Sequence, residues 1–316
     1  MAKPTGVVTA SALNLRGKPS TDGPVLASLS RGTAVEILDH TGTWYEVHTD
    51  KGDGFVASDF VKIVDSQPAA GFLYERADLK AVPLAPAAGD QITLGAKPSA
   101  AQRMVAQTWN AQGGLVQALS DIVGLAPAAA VSVLCVESGG RGFADDGRMI
   151  IRFENHVLWD KWGQQHADVF KAHFRFNAEK RWLGHQFRAT ADGPWEPCHT
   201  SQTIEWRVFG FARGLDERAA VCSISMGGPQ IMGFNSAQIG YEDPEVMFVN
   251  FAADVRFQIL GLFDFIKGAG TTSSMLQALQ QKRFDSFAAR YNGPGQAAEY
   301  GSRIDSYYSA FTALKA

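Results

Sequence analysis

Glu137 ends the apolar run Ala130-Val131-Ser132-Val133-Leu134-Cys135-Val136, directly before Ser138-Gly139-Gly140. Pro127 suits a first helical turn and Gly139 a helix stop, so the spacing predicts a helix with this carboxyl in its last turn. There the negative end of the helix dipole and the apolar neighbours both disfavour ionisation. A carboxyl so placed can hold a proton near neutral pH and donate it. The alternative is an ordinary helix-end Glu turned to water.

Downstream, Gly142-Phe143-Ala144-Asp145-Asp146-Gly147-Arg148-Met149-Ile150-Ile151-Arg152-Phe153-Glu154 holds further carboxylates. Asp146-Gly147 is a hairpin-turn signal between two extended runs. With strand periodicity Met149, Ile151 and Phe153 share one face, while Ile150, Arg152 and Glu154 share the other. The apolar set takes the core, so Glu154 faces a cleft or solvent. A protonated acid followed by a small wing bearing a second carboxylate is the arrangement glycoside cleavage needs: one group protonates the leaving oxygen, and the other attacks, activates water or stabilises positive charge. Glu154 is the first choice for that second role. Asp146 is the next, because Asp-Gly turns often use the Asp side chain locally, and Asp145 is a third candidate. Each could equally be a turn residue or a surface ion-pair partner.

In Ser225-Met226-Gly227-Gly228-Pro229-Gln230, the glycines permit close backbone approach to a ligand, and Gln230 offers a donor and an acceptor for sugar groups. A glycine-rich turn with a backbone-bonded Gln is the plainer reading. Tyr291 is a groove contact or a core aromatic with its hydroxyl tied to backbone. Asn292, before Gly293-Pro294, also suits a helix-ending turn. Trp159, Trp162, Trp182, Trp195 and Trp206 cluster in one stretch that could supply a stacking wall for sugars or, more simply, a local core.

The elements that must position these residues divide the chain. Residues 6–64 alternate short β-rich runs, Gly6-Val7-Val8-Thr9-Ala10, Leu13-Asn14-Leu15-Arg16, Ala34-Val35-Glu36-Ile37-Leu38, Trp44-Tyr45-Glu46-Val47-His48 and Gly54-Phe55-Val56-Ala57, with turn chemistry such as Thr41-Gly42-Thr43. This pattern predicts a small antiparallel barrel. Pro68-Ala69-Ala70, Val82-Pro83-Leu84-Ala85-Pro86-Ala87-Ala88-Gly89 and Lys97-Pro98-Ser99 mark a linker, within which 71–80 could form a short docking element. Helical periodicity follows over Ala101 to Trp109, Gly114 to Val123 and Pro127 to Val136, with breaks at Gly113-Gly114 and after Val123. Further helices are expected at 245–267, 274–281, 284–290 and 296–314.

The 316 residues, 46% hydrophobic and 19% charged with net charge −3, are a soluble globular composition that selects neither nucleic acid nor an anionic membrane. No stretch reaches the roughly 18 apolar residues of a membrane span, and Met1-Ala2-Lys3-Pro4-Thr5-Gly6 lacks a signal core, so any export route lies outside the chain. Cys135, Cys198 and Cys222 read as buried thiols, with a Cys198–Cys222 bridge the alternative. No His-Glu-x-x-His occurs, and His185, Cys198, His199 and Cys222 are scattered, so no metal site is expected.

Two resemblances accompany these patterns. Leu13-Asn14-Leu15-Arg16, Pro19-Ser20, Gly32-Thr33, Trp44-Tyr45-Glu46-Val47 and Gly54-Phe55-Val56 resemble the bacterial SH3 family, which implies binding to cell-wall peptides; a spacer barrel is the alternative. Glu137-Ser138-Gly139-Gly140, Gly228-Pro229-Gln230-Ile231 and Tyr291-Asn292-Gly293-Pro294 resemble the motif series of lysozyme-like muramidases. More closely, Ile150-Ile151-Arg152-Phe153-Glu154-Asn155-His156, Gln230-Ile231-Met232-Gly233 and Phe287-Ala288-Ala289-Arg290-Tyr291-Asn292-Gly293 resemble the N-acetylmuramidase family of phage endolysins. The stretch around Gly227 lacks the aromatics those relatives tend to carry there.

Together they imply a multidomain chain, a small all-β SH3-like barrel followed by a mainly α lysozyme-like α+β domain with a β-hairpin wing. The boundaries expected are 1–66 for the wall-binding domain, 67–99 for the Pro/Ala-rich linker and 100–316 for the N-acetylmuramidase domain. The implied activity is hydrolysis of the β-1,4 bond between N-acetylmuramic acid and N-acetylglucosamine, with Glu137 as general acid and Gln230, Tyr291 and Asn292 lining the glycan groove. Lytic transglycosylase chemistry and non-catalytic wall binding are the rivals. The partner implied is bacterial peptidoglycan, met at the cell wall by a monomer that needs no cofactor and does not insert into membranes.

Overall fold

The computed structural model describes residues 5–41, 43–64, 72–268 and 273–315; Met1–Pro4, Gly42 and Pro68-Ala69-Ala70 lie outside them. The chain divides into two compact units, Met1–Ala70 and Gly71–Ala316.

The first unit is a seven-stranded antiparallel sheet of β1 (Thr5–Val8), β2 (Ala12–Arg16), β3 (Val25–Ser30), β4 (Ala34–Thr41), β5 (Trp44–Thr49), β6 (Gly52–Ala57) and β7 (Val61–Val64), in the order β3-β2-β6-β5-β4-β1-β7. Alternation builds its core: Leu13 and Leu15 of β2 point in with Val8, Leu29, Val35, Ile37, Val47, Val56 and Val61. Sequence periodicity misses β3 and β7. β3 lies at a sheet edge, with Val25 and Leu26 exposed, so it carries no regular apolar alternation.

The second unit is mainly helical. Its helices are α1 (Ala77–Lys80), α2 (Ala100–Val123), α3 (Pro127–Ser138), α4 (Asn155–Leu158), α5 (Ala167–His173), α6 (Gln202–Leu215), α7 (Glu217–Cys222), α8 (Pro244–Ala253), α9 (Val255–Lys267), α10 (Ser274–Gln280), α11 (Phe284–Tyr291) and α12 (Ala297–Lys315). Two small sheets accompany them. One orders β13 (Ile231–Met232), β12 (Ile224–Met226) and β8 (Ile151–Phe153), and the other orders β11 (Glu196–Pro197), β10 (Gln186–Phe187) and β9 (Phe174–Arg175). One apolar core gathers α2, α3, α9, α10 and α12, and another gathers β8, the sheet of β9 and β10, α6, α7 and β12.

Three expectations are corrected. Gly113-Gly114 does not break a helix, because α2 runs through both. The glycines serve close approach instead: a Cβ on Gly114 would stand 2.4 Å from the Ala85 carbonyl oxygen. The single stretch 245–267 splits at Asp254, whose side chain caps α9 by accepting from Arg256 N. Residues 72–99 pack on the helical unit rather than linking it: Leu73, Leu79 and Ile92 are buried in its core. Their sparse pattern of single apolar residues among Pro and Ala hides this, since each is matched only to a distant partner.

Candidate active site

α3 is buried on every side from Ala128 to Val136, as a helix without a polar face must be. It ends at Gly139, left-handed at φ 65°, with Gly139 N donating to Cys135 O and Gly140 N to Leu134 O. Glu137 therefore sits in the last turn, partly exposed at the end of the core helix. Burial is the main influence on its carboxyl and raises the pKa to about 7, against the opposing effects of the Asn292 hydrogen bond and the Arg303 charge. Among the described residues it makes no ion pair.

Three further elements converge on α3. Asn292, capping α11, donates from Nδ2 to Glu137 Oε1 at 2.9 Å. Arg303 of α12 donates to the Val136 carbonyl at 3.2 Å, satisfying one of the free carbonyls at the end of α3. The turn after β12 packs on the last turn of α3: a Cβ on Gly228 would lie 3.4 Å from Leu134 and 3.7 Å from Ser138 Oγ. Gln258, fully buried, holds that turn by accepting from Gly228 N at 2.8 Å.

Two of the expected groove residues make hydrogen bonds within the protein. Gln230 adopts φ 53°, and its amide is used inside the turn, accepting from Ser225 Oγ at 2.8 Å and donating to Gly227 O at 2.7 Å. Tyr291 donates to Pro229 O at 2.7 Å, pinning the same turn to α11. Both hydrogen-bond sets hold the Gly227–Gln230 turn. Asn292, by contrast, touches the acid itself.

The wing carries the remaining carboxylates. The Asp146-Gly147 turn forms as expected, with Ala144 N donating to Arg148 O and Phe143 bridging Met149. β8 then pairs antiparallel with β12 rather than standing in a two-stranded hairpin alone. Each candidate for the second carboxylate is held by an arginine: Asp145 by Arg141 at 2.6 Å, Asp146 by Arg148 at 2.6 Å and Glu154 by Arg152 at 2.8 Å. Asp146 also accepts from Arg148 N, so its side chain serves the turn. Glu154 is nearly buried; burial alone would raise its pKa, but His156, Arg152 and His185 outweigh it and bring the value to about 2. All three carboxylates are thus paired with an arginine in this arrangement.

The tryptophans form a local core rather than a continuous wall. Trp159, Trp162 and Trp206 pack on the apolar cluster around β8, and Trp195 lies between the guanidinium groups of Arg175 and Arg188 at 4.3 and 4.4 Å. Trp182 alone of the five is widely exposed. All three cysteines are free thiols.

A family model for N-acetylmuramidase matches residues 126–312, from the start of α3 through most of α12. The chain belongs to the N-acetylmuramidase family. It is accordingly a peptidoglycan hydrolase of the glycoside hydrolase class, acting on the cell wall. A bacterial SH3 domain model matches residues 11–62, so this N-acetylmuramidase carries an SH3-like module ahead of the enzyme unit. Among solved structures it is similar to the endolysin of Burkholderia phage AP3, at 24% identity over 64% of this chain and 70% of that one, with a TM-score of 0.49. No curated protein matches it. No described helix is long and apolar enough to cross a membrane.

Proposed function

We propose that this N-acetylmuramidase cleaves the β-1,4 bond between N-acetylmuramic acid and N-acetylglucosamine, with Glu137 protonating the departing glycosidic oxygen. One observation carries the reading: burial raises the Glu137 pKa to about 7, as it does that of Asp264, but Asp264 is fully buried beside Lys267, whereas Glu137 is partly exposed, makes no ion pair with any described residue and has one side-chain donor, Asn292, at 2.9 Å. Asn292 orients the carboxyl and stabilises the anion left after proton transfer. Gln230 and Tyr291 act as positioning residues that hold the Gly227–Gln230 turn against α3. We assign neither Asp146 nor Glu154 a chemical step, since each is committed to an arginine. The barrel of residues 1–66 holds the enzyme to wall peptides, and the protein works as a monomer.

A second reading draws on the same ion pairs. Where no free second carboxylate activates water, the muramic 6-hydroxyl can close on the anomeric carbon, giving a 1,6-anhydro product. Mass spectrometry of digested sacculi separates the two, because the anhydro product is lighter by one water. Reducing ends throughout support hydrolysis, and anhydro ends throughout would replace it with transglycosylation. Glu137→Gln should lower turnover by at least about a hundredfold with the fold intact, the usual cost of losing acid catalysis.

A further inference from the structure

Just past the end of β8, electron-pair donors of three residues converge. Glu154 follows β8, His156 lies in α4, and His185 directly precedes β10. One donor atom from each lies within 4.8 Å of the others. His156 Nδ1 stands 3.5 Å and His185 Nδ1 3.4 Å from Glu154 Oε2. Glu154 Oε2 and His156 Nδ1 are buried, and neither has a hydrogen-bond partner among the described residues. Buried polar atoms left in that state are costly.

The tautomers follow from the partners. His185 Nε2 faces the Arg181 carbonyl oxygen at 2.8 Å, so that nitrogen carries the hydrogen and Nδ1 presents its lone pair to Glu154. His199 Nδ1 faces Glu205 Oε1 at 2.8 Å, and its Nε2 stands 3.1 Å from His185 Nδ1. The backbone N–H of Asn155 also approaches His185 Nδ1, at 3.4 Å. The His185 Nδ1 lone pair, the Glu154 carboxylate and His156 Nδ1 thus face one small volume, and a cation placed among them would satisfy all three.

We infer that Glu154, His156 and His185 form a binding site for one first-row divalent cation, of which Zn²⁺ fits best. Metal–ligand bonds of about 2.0–2.1 Å in a tetrahedron set neighbouring ligand atoms about 3.3–3.5 Å apart, which is the spacing of both histidine nitrogens from Glu154 Oε2. Two imidazoles and one carboxylate are a borderline donor set suited to Zn²⁺ rather than to Ca²⁺ or Mg²⁺. The outer partners are those metal-binding histidines need: His185 Nε2–H donates to a carbonyl oxygen, and Arg152 holds the other oxygen of Glu154. Glu205 supplies further negative charge through His199.

The ion would clasp β8 and α4 to the inserted sheet of β9, β10 and β11. Asn155, fully buried, already makes that junction by donating to Arg175 O and Gln186 O. The site is therefore structural, and its loss should loosen the insert before it alters the acid.

The test uses the full chain without a histidine tag, stripped with a chelator and titrated calorimetrically with Zn²⁺. Saturation at one ion per chain, with a rise in Tm of several degrees, is expected. His156→Gln and Glu154→Gln should each weaken binding by more than the roughly 10- to 100-fold typical of losing an outer partner. His166→Gln, at an exposed position outside the cluster, should bind as wild type does. Absence of binding to the wild-type chain, or binding that survives both ligand substitutions, would overturn the site and leave a proton holding the cluster. If either variant fails to fold, the Co²⁺-loaded wild type decides: intense visible bands of a four- or five-coordinate ion support the site, and a hexa-aqua-like spectrum refutes it.

Discussion

The Asn292 side-chain amide donates to Glu137 Oε1 at 2.9 Å, joining the ends of α3 and α11 across 155 residues of sequence. The bond is made to the acid's charged form, so it works against the burial that raises the pKa of Glu137. The pair sets how far above an ordinary carboxyl this acid titrates.

Replacing Asn292 by Ala removes a stabiliser of the anion, so Glu137 should titrate at higher pH. In wild type, kcat/KM should fall as pH rises through about 7, where the acid loses its proton. In Asn292→Ala that limb should move to higher pH, with a lower maximal rate because the carboxyl is less well oriented. A pH–rate profile on solubilised glycan strands measures both. An unmoved alkaline limb would detach Asn292 from the acid.

The same carboxyl makes stability depend on pH with a defined sign. Its folded pKa, about 7, lies above the ordinary value of 4.5, so the folded state binds the proton more tightly than the unfolded chain. The resulting stabilisation is fully present below about pH 4.5 and is lost as pH rises through about 7. Glu137→Gln keeps a neutral acceptor for Asn292 and should remove this dependence. Urea unfolding at about pH 4 and about pH 8 should show the variant gaining on wild type at the higher pH. Equal slopes for the two proteins contradict the buried-acid assignment.

Tyr291 reaches Pro229 O rather than a ligand. Tyr291→Phe leaves that carbonyl without its donor, at a cost of about 1–2 kcal/mol, which is a drop in Tm of a few degrees for a unit this size. Because the turn it pins lies against α3, kcat should fall modestly while KM stays nearly constant. A large rise in KM with unchanged Tm would instead make Tyr291 a groove contact.

Leu73 tests the segment whose composition resembles a linker. It is fully buried, and the backbone N–H groups of Leu73 and Tyr74 donate to the buried carboxylate of Asp264 at 2.9 and 3.3 Å. Leu73→Ala should cost about 2–5 kcal/mol by emptying a core site. Thermal unfolding followed by tryptophan fluorescence reads this out, since a true linker position would change Tm by less than a degree or so.

The sequence by itself determined what local chemistry can encode. The Pro127 start and the Gly139-Gly140 stop frame α3, the unbroken apolar run makes it a core helix, and together they put one carboxyl where it must stay protonated. The turn signals of the first sixty residues likewise suffice for a β module, because strand alternation and Gly turns are local. The structure decided whatever depends on partners far apart in the chain. Gly113-Gly114 reads as a break until the strap of Pro83–Ala85 is seen lying against it. Glu154 looks like a free second carboxylate until Arg152, His156 and His185 close round it, and no spacing rule announces a cluster whose members come from an extended segment, a short helix and an inserted sheet. Asn292 becomes the acid's partner only because α11 and α3 end at the same place. Side-chain electrostatics follow from burial and from neighbours within a few ångströms, and those are properties of packing that one-dimensional spacing does not carry.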